Sequence, residues 1–370
     1  TVQLKGIPQV QTSIGDVRIE FYATVRIAEP FLPVGTVIAR EQNYIYTFHK
    51  DKVAQQEVAP MKETDTQVIY SGKNFKAVFD KKSGLLVSYQ YNGAEYILNG
   101  QGLHPNFWRA PIDNDYGAGL ARKLGVWKEA SYQDIMAASF NARNGEVTCT
   151  YQFPQTDATW DITYKIYTNG VIKVDNRFVA ANEKTPMIPR IGLRMQMPET
   201  FTTLTYYGRG PEENYRDRRT SQFFGEYSTP IKKMYEPYIR PQENNHRTDI
   251  YWCALTNKSG AGLLLVADRT FEMNASNYPL ETLDSGDDLH NAAPRTAQTN
   301  HRHLTDPKPE KMVDLFIDYR MMGVGGDNSW GALAHEPYLI RTGAQNAVEY
   351  GFTLVPFGRK TDFRNLIYQY

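Results

Sequence analysis

A glycine-rich stretch near the C-terminus carries the side chains whose chemistry is easiest to interpret. Residues 323–331 read Gly-Val-Gly-Gly-Asp-Asn-Ser-Trp-Gly, which predicts a loop because glycine loses the most backbone freedom on ordering. Trp330 offers an aromatic face that suits stacking on a sugar ring, and an N–H that suits a hydroxyl. Asp327 and Asn328 can hold such a loop through hydrogen bonds to nearby backbone. The alternative is that Trp330 is a core residue beneath a glycine-rich corner.

Two other segments are unlike ordinary sandwich surface. Residues 106–119 (Asn-Phe-Trp-Arg-Ala-Pro-Ile-Asp-Asn-Asp-Tyr-Gly-Ala-Gly) predict an irregular path, in which Asp and Asn satisfy backbone groups locally. Gly117 and Gly119 then supply a flexible exit towards Trp127. Residues 206–218 (Tyr-Tyr-Gly-Arg-Gly-Pro-Glu-Glu-Asn-Tyr-Arg-Asp-Arg) are dense in both charged and aromatic side chains. These segments either form a sugar site or bury ion pairs against another domain.

Several common catalytic motifs are absent from the sequence. It contains no phosphate-binding Gly-x-x-x-x-Gly-Lys-Ser/Thr, no Gly-x-Ser-x-Gly, no His-Glu-x-x-His and no Cys-x-x-Cys. His301 and His303 could give two metal ligands or an acid/base site, but without a third ligand they favour a hydrogen-bonded pair at a strand end. Asp287 and Asp288 follow a glycine and indicate a solvated turn. No metal site is predicted in this chain.

Composition narrows the possible partners. The 370 residues include 41 basic and 41 acidic side chains, so the net charge is zero and no basic, aromatic-interleaved run predicts nucleic-acid binding. No apolar stretch reaches the ~20 residues of a membrane helix. The N-terminus lacks a signal-peptide pattern and opens on a strand, as if partway through a longer chain. Cys149 and Cys253 indicate no disulfide framework, and the compartment is left open, cytoplasm or periplasm.

Strand patterns dominate the chain. Apolar residues alternate with polar ones from Val17 to Ile27, and a return strand is predicted over 36–46. Further hairpins are predicted around the turns at 80–84 and at Asn169-Gly170, the latter pair being typical of a type I′ turn. Helical signals are few and short, the best being 279–284.

The fold class follows from this pattern: all-β, with a large antiparallel β-sandwich and without the eight helices of a (β/α)8 barrel. Residues 1–50 hold too few strands to stand alone and predict a partial small β-sandwich. The polar segment 51–66 predicts a linker. Residues 67–370 predict the main domain.

The segments above resemble the C-terminal region of the large bacterial β-galactosidases of glycoside hydrolase family 2. So do residues 235–244 (Tyr-Glu-Pro-Tyr-Ile-Arg-Pro-Gln-Glu-Asn) and 299–304 (Thr-Asn-His-Arg-His-Leu), and the similarity covers nearly the whole chain. Residues 16–46 resemble the closing strands of an immunoglobulin-like domain. Residues 67–370 resemble the last domain of those enzymes, a galactose mutarotase-like supersandwich.

The resemblance implies a supporting role for this chain. Such enzymes are retaining glycosidases whose two catalytic glutamates lie on a (β/α)8 barrel that would precede residue 1. It implies that this chain has no catalytic residue and no cofactor, while the complete enzyme binds magnesium and sodium mainly on the barrel. Trp330 matches a tryptophan placed at the active-site mouth, and Gly117 with the residues after it matches a mobile loop. The implied partners are β-galactosides, the barrel domain and further copies of the enzyme in a homo-oligomer.

Two other functions remain open from the sequence. The same sandwich serves aldose 1-epimerases, which use a histidine and a glutamate, roles that His301 or His303 could share with Glu349. The chain could also be a passive carbohydrate-binding or interdomain scaffold. The immunoglobulin-like remnant and the β-galactosidase motifs have no place in an epimerase, which favours the first interpretation.

Overall fold

A computed structural model describes residues 16–47, 57–285, 287–288, 291–292, 301–328 and 331–370. The chain divides into two compact units, one of Thr1–Gln55 with Arg364–Tyr370 and one of Gln56–Phe363. In the described part of the chain, no helix is long and apolar enough to cross a bilayer.

The smaller unit contains the first predicted hairpin. Strands β1 (Asp16–Thr24) and β2 (Val37–Thr47) pair antiparallel, with Phe21 opposite Glu41. Strand β1 ends before Ile27, where the alternation of the sequence would have allowed it to continue. Two apolar side chains of this unit, Ile27 and Phe31, are strongly exposed. Membership of an immunoglobulin-like domain stays a prediction for this segment.

The larger unit contains two principal sheets. The smaller sheet consists of β3 (Met61–Glu63), β4 (Gln67–Ser71), β5 (Phe75–Asp80), β6 (Leu86–Tyr91) and β7 (Ala94–Glu95), paired in that order. The remaining strands are β8 (His104–Asn106), β9 (Ser139–Arg143), β10 (Glu146–Phe153), β11 (Ala158–Ile166), β12 (Ile172–Ala180), β13 (Arg190–Pro198), β14 (Phe201–Gly210), β15 (Phe223–Pro230), β16 (Arg247–Asn257), β17 (Gly262–Ser276), β18 (Asp287–Asp288), β19 (Asn291–Ala292), β20 (Met312–Met321) and β21 (Val348–Phe357).

The large sheet is antiparallel and branched. Its main path runs β15-β14-β16-β17-β21-β12-β11-β10-β9. Strand β20 pairs with both β17 and β13, and β13 also pairs with β8. Strands β18 and β19 form a separate two-stranded piece.

The two principal sheets enclose one apolar core. Strand β11 alternates buried and half-buried residues, as expected for a strand with one face in the core. Between the sheets, the rings of Phe79 and Tyr164 lie 5.1 Å apart, and the Tyr89 hydroxyl donates to the Gly170 carbonyl at 2.7 Å. The predicted all-β, antiparallel sandwich is therefore confirmed.

One predicted turn is wrong in detail. A type I′ turn at Asn169-Gly170 needs positive φ at both residues, but only Gly170 has it, at 90°. The strands end at Ile166 and Ile172, and the Gly170 N–H donates to the Tyr167 carbonyl at 2.9 Å. The connection is therefore a longer loop with a single left-handed glycine, which suits the wider separation of the strand ends.

The segment predicted as a linker, 51–66, is built into the larger unit in its second half. Val58 forms a β-bridge with Tyr167, the Ala59 N–H donates to the Ile166 carbonyl at 2.9 Å, and β3 pairs with β4. Polar composition suggested a linker, but a short edge strand needs few apolar residues because one face and one edge stay in water.

Short helices end at and follow Gly117, and the predicted mobility of this segment stays a prediction. These helices are α1 (Asp113–Gly117), α2 (Leu120–Lys123) and α3 (Gly125–Tyr132), followed later by α4 (Leu280–Leu283) and α5 (Arg364–Ile367). Helix α4 confirms the helical signal at 279–284. Helix α3 is fixed by Trp127, which is fully buried and donates its indole N–H to the Pro186 carbonyl at 2.9 Å. Its amphipathic signal spans too few turns to stand out in the sequence.

His104, on β8, gives the fold a measurable acid sensitivity. Its Nδ1 donates to the Gly102 carbonyl at 2.9 Å, and Arg194 lies opposite it on β13. Burial, with a further contribution from the Arg194 charge, lowers the pKa of His104 to about 4. In the unfolded chain His104 has an ordinary histidine pKa of about 6.5. Between pH 6.5 and pH 4 the unfolded chain is therefore protonated at His104 while the folded chain is not.

Stability is therefore expected to fall as pH drops from 6.5 to 4, with a His104 contribution of up to about 1.4 kcal/mol per pH unit. Denaturant unfolding at pH 7 and pH 4.5 measures this change. The variant His104→Gln should show a smaller acid loss than the parent chain, since glutamine does not titrate. Equal acid losses in the two proteins would contradict the assignment.

Candidate functional site

The glycine-rich loop, residues 323–331, follows β20 directly. Its described residues, 323–328 and Gly331, lie in neither helix nor strand, which confirms the predicted loop. The Gly323 N–H donates to the Tyr338 carbonyl at 2.8 Å as the chain leaves the sheet. Trp330 and Ser329 lie outside the described residues, so the role of Trp330 stays a prediction.

A buried arginine holds the start of this loop. Arg109 donates through Nη1 to the Met322 carbonyl at 2.6 Å and through Nη2 to the Gly323 carbonyl at 3.1 Å. The same guanidinium forms a two-pronged ion pair with Asp115, at 3.0 and 2.8 Å. Burial opposes the charge of Arg109, but the Asp115 carboxylate outweighs it and raises the pKa of the arginine. Segment 106–119 thus fixes the base of the loop.

A carboxylate from segment 206–218 holds the next two residues. Asp217 accepts the Val324 N–H at 3.1 Å and the Gly325 N–H at 2.7 Å. Asn114 donates its side-chain amide to the Val324 carbonyl at 3.1 Å. A Cβ added to Gly323 would lie 2.7 Å from Asp217 Oδ2, so this close approach requires glycine. Charge-assisted bonds to backbone N–H groups are short and strong, which makes Asp217 a specific anchor.

The far end of the glycine-rich loop packs against α1. Gly331 has φ of 104°, and a Cβ added there would lie 2.9 Å from the Gly117 carbonyl oxygen and 3.2 Å from Ala118 Cα. Gly119 also has positive φ, 67°, and precedes α2. The structure therefore brings together the two loops that the sequence singled out separately.

The remaining predicted loop residues lie on the surface. Asp327 and Asn328 are exposed, and Asp327 Oδ1 lies 2.8 Å from Nε2 of the exposed His335. Gly117 is exposed and Gly119 is half-buried. Their supporting role stays a prediction. The anchors Asp217 and Asn114 were not predicted, because nothing in their spacing shows which distant backbone groups they meet.

Segment 235–244 supports the anchors from behind. The Arg240 guanidinium lies 3.8 Å from the centre of the Tyr116 ring, and the Gln242 amide donates to Asp113 at 3.2 Å. Both contacts hold α1, which carries Asp115. Segments 106–119, 206–218 and 235–244, which all carry the family resemblance, therefore together hold the base of the glycine-rich loop.

The three arginines of segment 206–218 form ion pairs inside the larger unit, so these pairs need no other domain. The pairs are Arg209 with Asp249 at 2.6 Å, Arg218 with Glu213 at 2.7 Å and Arg216 with Glu272 at 3.4 Å. Phe107 and Trp108 of segment 106–119 are buried, so these two aromatics are core residues.

Glu272 belongs to a second polar cluster. It accepts the Met321 N–H at 2.8 Å and lies 3.0 Å from His246 Nε2. Burial opposes its ionisation, but the hydrogen bond from His246, with the nearby positive charges, lowers the pKa of Glu272. Sequence reasoning did not find this buried pair, since a lone histidine carries no spacing signal.

The other candidate residues do not assemble into a site. His301 Nδ1 lies 2.9 Å from the Thr282 carbonyl, and His303 is exposed, 3.4 Å from Asp306. Glu349 lies on β21, 3.7 Å from Arg177. Within the described residues, no contact joins either histidine to Glu349, and no group of three or more His, Cys, Asp or Glu could hold a metal. The predicted turn at Asp287 and Asp288 is instead the short strand β18.

Comparisons with known proteins agree with the resemblance found in the sequence. Residues 71–354 match the family model for the β-galactosidase small chain. The β-galactosidase of Priestia megaterium is 33% identical over 297 residues, which cover 80% of this chain and 27% of the relative. That of Streptococcus thermophilus is 30% identical over 342 residues, covering 90% of this chain and 31% of the relative.

Among solved structures, a galactose mutarotase related enzyme from Lactobacillus acidophilus is similar with a TM-score of 0.45 at 10% identity, covering 80% of this chain and 98% of that one. The chain spans less than a third of the length of the two β-galactosidases above. With most of its length matched by one family model and its motifs in the expected order, the chain belongs to the β-galactosidase small-chain family.

Proposed function

We propose that this chain is the C-terminal, carbohydrate-binding part of a retaining β-galactosidase and supplies Trp330 to the mouth of the active site. The observation that carries the proposal is the double anchoring of the glycine-rich loop by Arg109 and Asp217. A side chain that binds substrate must be held in place before substrate arrives, since ordering it on binding costs affinity. The buried Arg109 and the half-buried Asp217 supply that order at the base of the loop.

The carboxylates beside the loop support a role without catalysis. A retaining glycosidase needs a nucleophile and an acid/base about 5–5.5 Å apart, both free to reach the anomeric carbon. Asp115 is committed to Arg109, and Asp217 accepts two backbone N–H groups. Both are therefore occupied in holding the loop. In the proposal the two catalytic glutamates lie on a barrel domain outside these residues.

The proposed division, with substrate stacking in this chain and catalysis on the barrel, agrees with the energies that each task needs. Stacking of a sugar on one indole contributes about 1–3 kcal/mol, enough to set initial affinity and leaving-group preference. It cannot supply the rate enhancement of a glycosidase, which needs charge stabilisation and proton transfer. Gly117 and the helices after it would form the neighbouring wall. The magnesium and sodium of the complete enzyme would be bound by the barrel, and the enzyme would act as a homo-oligomer.

Hydrolysis of a chromogenic β-galactoside tests the proposal. The chain alone and a separately expressed barrel-containing fragment are each expected to be inactive, and activity should appear when the two folded proteins are mixed. The matched control is the same mixture with the chain variant Arg341→Gln, which alters an exposed ion pair and should restore equal activity. Hydrolysis by the chain alone would show that it holds its own carboxylate pair, and the proposal would fail.

A further inference from the structure

A large polar cavity lies away from the glycine-rich loop. Its volume is about 800 Å³. Residues of β11, β12, β17 and β21 line its floor, and residues of β20 together with Arg216 line one side. This volume falls within the roughly 300–1,000 Å³ of small-molecule sites. Of the described loop residues, 323–328 and Gly331, none lines it, and neither do Arg109, Asn114 and Asp217, which hold the loop. We call it the mixed-charge basin.

A glycine leaves room for an ion cluster in the middle of the basin. Lys173 Nζ lies 2.7 Å from a carboxylate oxygen of Asp175 and 2.7 Å from one of Asp268, so the three charges meet over Gly351. A Cβ on Gly351 would collide with Asp268, Lys173 and Asp175. Gly351 does not need positive φ, so what the glycine provides here is space.

One wall of the basin presents carboxylates that pair only loosely with arginine. Arg177 lies 3.8 Å from Asp161 and 3.7 Å from Glu349, both longer than a hydrogen bond. Asp161 accepts the Thr150 hydroxyl through Oδ1 at 2.7 Å, so its Oδ2 and the Glu349 carboxylate are the acceptors left for a ligand. Carboxylates with free lone pairs suit the vicinal hydroxyls of a sugar.

The opposite wall carries excess positive charge. Among the described residues, Arg320 forms no ion pair and no hydrogen bond, and its Nε is buried without an acceptor. Arg216 lies beside it with Nη1 3.4 Å from Glu272, and its Nε is also buried without an acceptor. Glu272 is already shared with His246 and the Met321 N–H. Of these two guanidinium groups, only Arg216 contacts a carboxylate, and that carboxylate already accepts other donors.

Aromatic rings lie next to this positive wall. The Arg320 guanidinium is 5.2 Å from the centre of the Tyr319 ring, and the Tyr319 and Tyr350 rings lie 6.0 Å apart. Both tyrosines line the basin. Aromatic faces, acceptors on one side and bidentate donors on the other are the groups with which proteins bind a charged sugar.

We propose that the mixed-charge basin is a second saccharide site, specific for a sugar that carries a carboxylate or sulfate group. The anionic group binds Arg216 and Arg320, and the hydroxyls bind the wall of Asp161 and Glu349. The site would act apart from substrate stacking at Trp330, so its failure and the failure of the β-galactosidase proposal are distinguishable.

Calorimetric titration of the full 370-residue chain tests the basin, with galacturonate, galactose 6-sulfate, galactose and inorganic sulfate as probes. At least one of the anionic sugars is expected to bind more tightly than galactose and sulfate. Arg320→Gln should weaken that binding about 10-fold or more, because a charge-assisted hydrogen bond is lost. Arg341→Gln, which changes an exposed arginine outside the basin, should leave the affinity unchanged.

A second variant separates binding from folding. Asp161→Asn alters a half-exposed carboxylate on the other wall and should weaken the anionic sugar several-fold while leaving inorganic sulfate unaffected. The proposal is overturned if neither anionic sugar binds more tightly than both galactose and sulfate, or if Arg320→Gln and Asp161→Asn both leave the sugar affinity unchanged.

Discussion

Replacing Arg109 by methionine is expected to lower the free energy of unfolding of the larger unit by about 3–5 kcal/mol. The change leaves the Asp115 carboxylate buried without its partner, and the Met322 and Gly323 carbonyls lose their donor. Denaturant unfolding followed by circular dichroism measures the loss. Arg341→Met, at an exposed pair with Glu336, should change stability by less than about 1 kcal/mol.

Two further variants show whether the buried charge or the shape of Arg109 matters. Arg109→Lys keeps the charge but cannot reproduce the planar fork that meets Asp115 and two carbonyls, so it should recover only part of the loss. Arg109→Met combined with Asp115→Leu removes the unpaired carboxylate and should be more stable than Arg109→Met alone. If the single methionine variant unfolds like the parent chain, Arg109 is not an anchor.

Replacing Trp330 by alanine in a complete enzyme is expected to raise KM about 5- to 150-fold with a comparatively intact kcat. The range corresponds to a stacking contribution of about 1–3 kcal/mol made before the chemical step. Steady-state kinetics on a chromogenic β-galactoside measure both constants. An unchanged KM with a collapsed kcat would contradict a stacking role.

Asp217→Ala tests whether the anchor acts through the same tryptophan. Loss of its two bonds to Val324 and Gly325 should loosen the loop and raise KM in the same direction. Because the anchor matters only if Trp330 is present, the double variant should be no worse than Trp330→Ala within about 2-fold. Asp327→Ala, on the exposed part of the loop, serves as the control. Fully additive effects would separate Asp217 from Trp330.

Elements with local signals could be predicted from the sequence. The hairpins of β5 with β6 and of β11 with β12 follow from alternation and turn residues, and the glycine content of 323–331 predicted a loop. Helix α3 was missed because its eight residues hold too little periodicity, and Asn169 was expected to adopt a conformation that the longer turn does not need.

The sequence predicted which segments form the candidate site but did not predict the contacts between them. Aromatic, charged and glycine-rich segments marked the right parts of the chain. Which atoms meet was not visible, since Asp217 and Gly325 are 108 positions apart and Arg109 and Met322 are 213 apart. Such pairings depend on the register of β13 with β20 and on the paths of the neighbouring loops. Neither can be predicted from local composition.

The glycine-rich loop is held at two points. One is the contact of Gly331 with Gly117, and the other is the hydrogen bond from the Gly325 N–H to Asp217. Only residues 326–330 connect them, so Gly325 and Gly331 can lie no more than about 22 Å apart even when the chain is fully extended. The exposed side chains of Asp327 and Asn328 can be exchanged without disturbing the base, whereas a Cβ on Gly326 would lie 2.3 Å from the Ala332 carbonyl oxygen. If the proposed function holds, substrate specificity can change at the exposed loop residues without loss of sandwich stability, provided that the number of residues between Gly325 and Gly331 is kept.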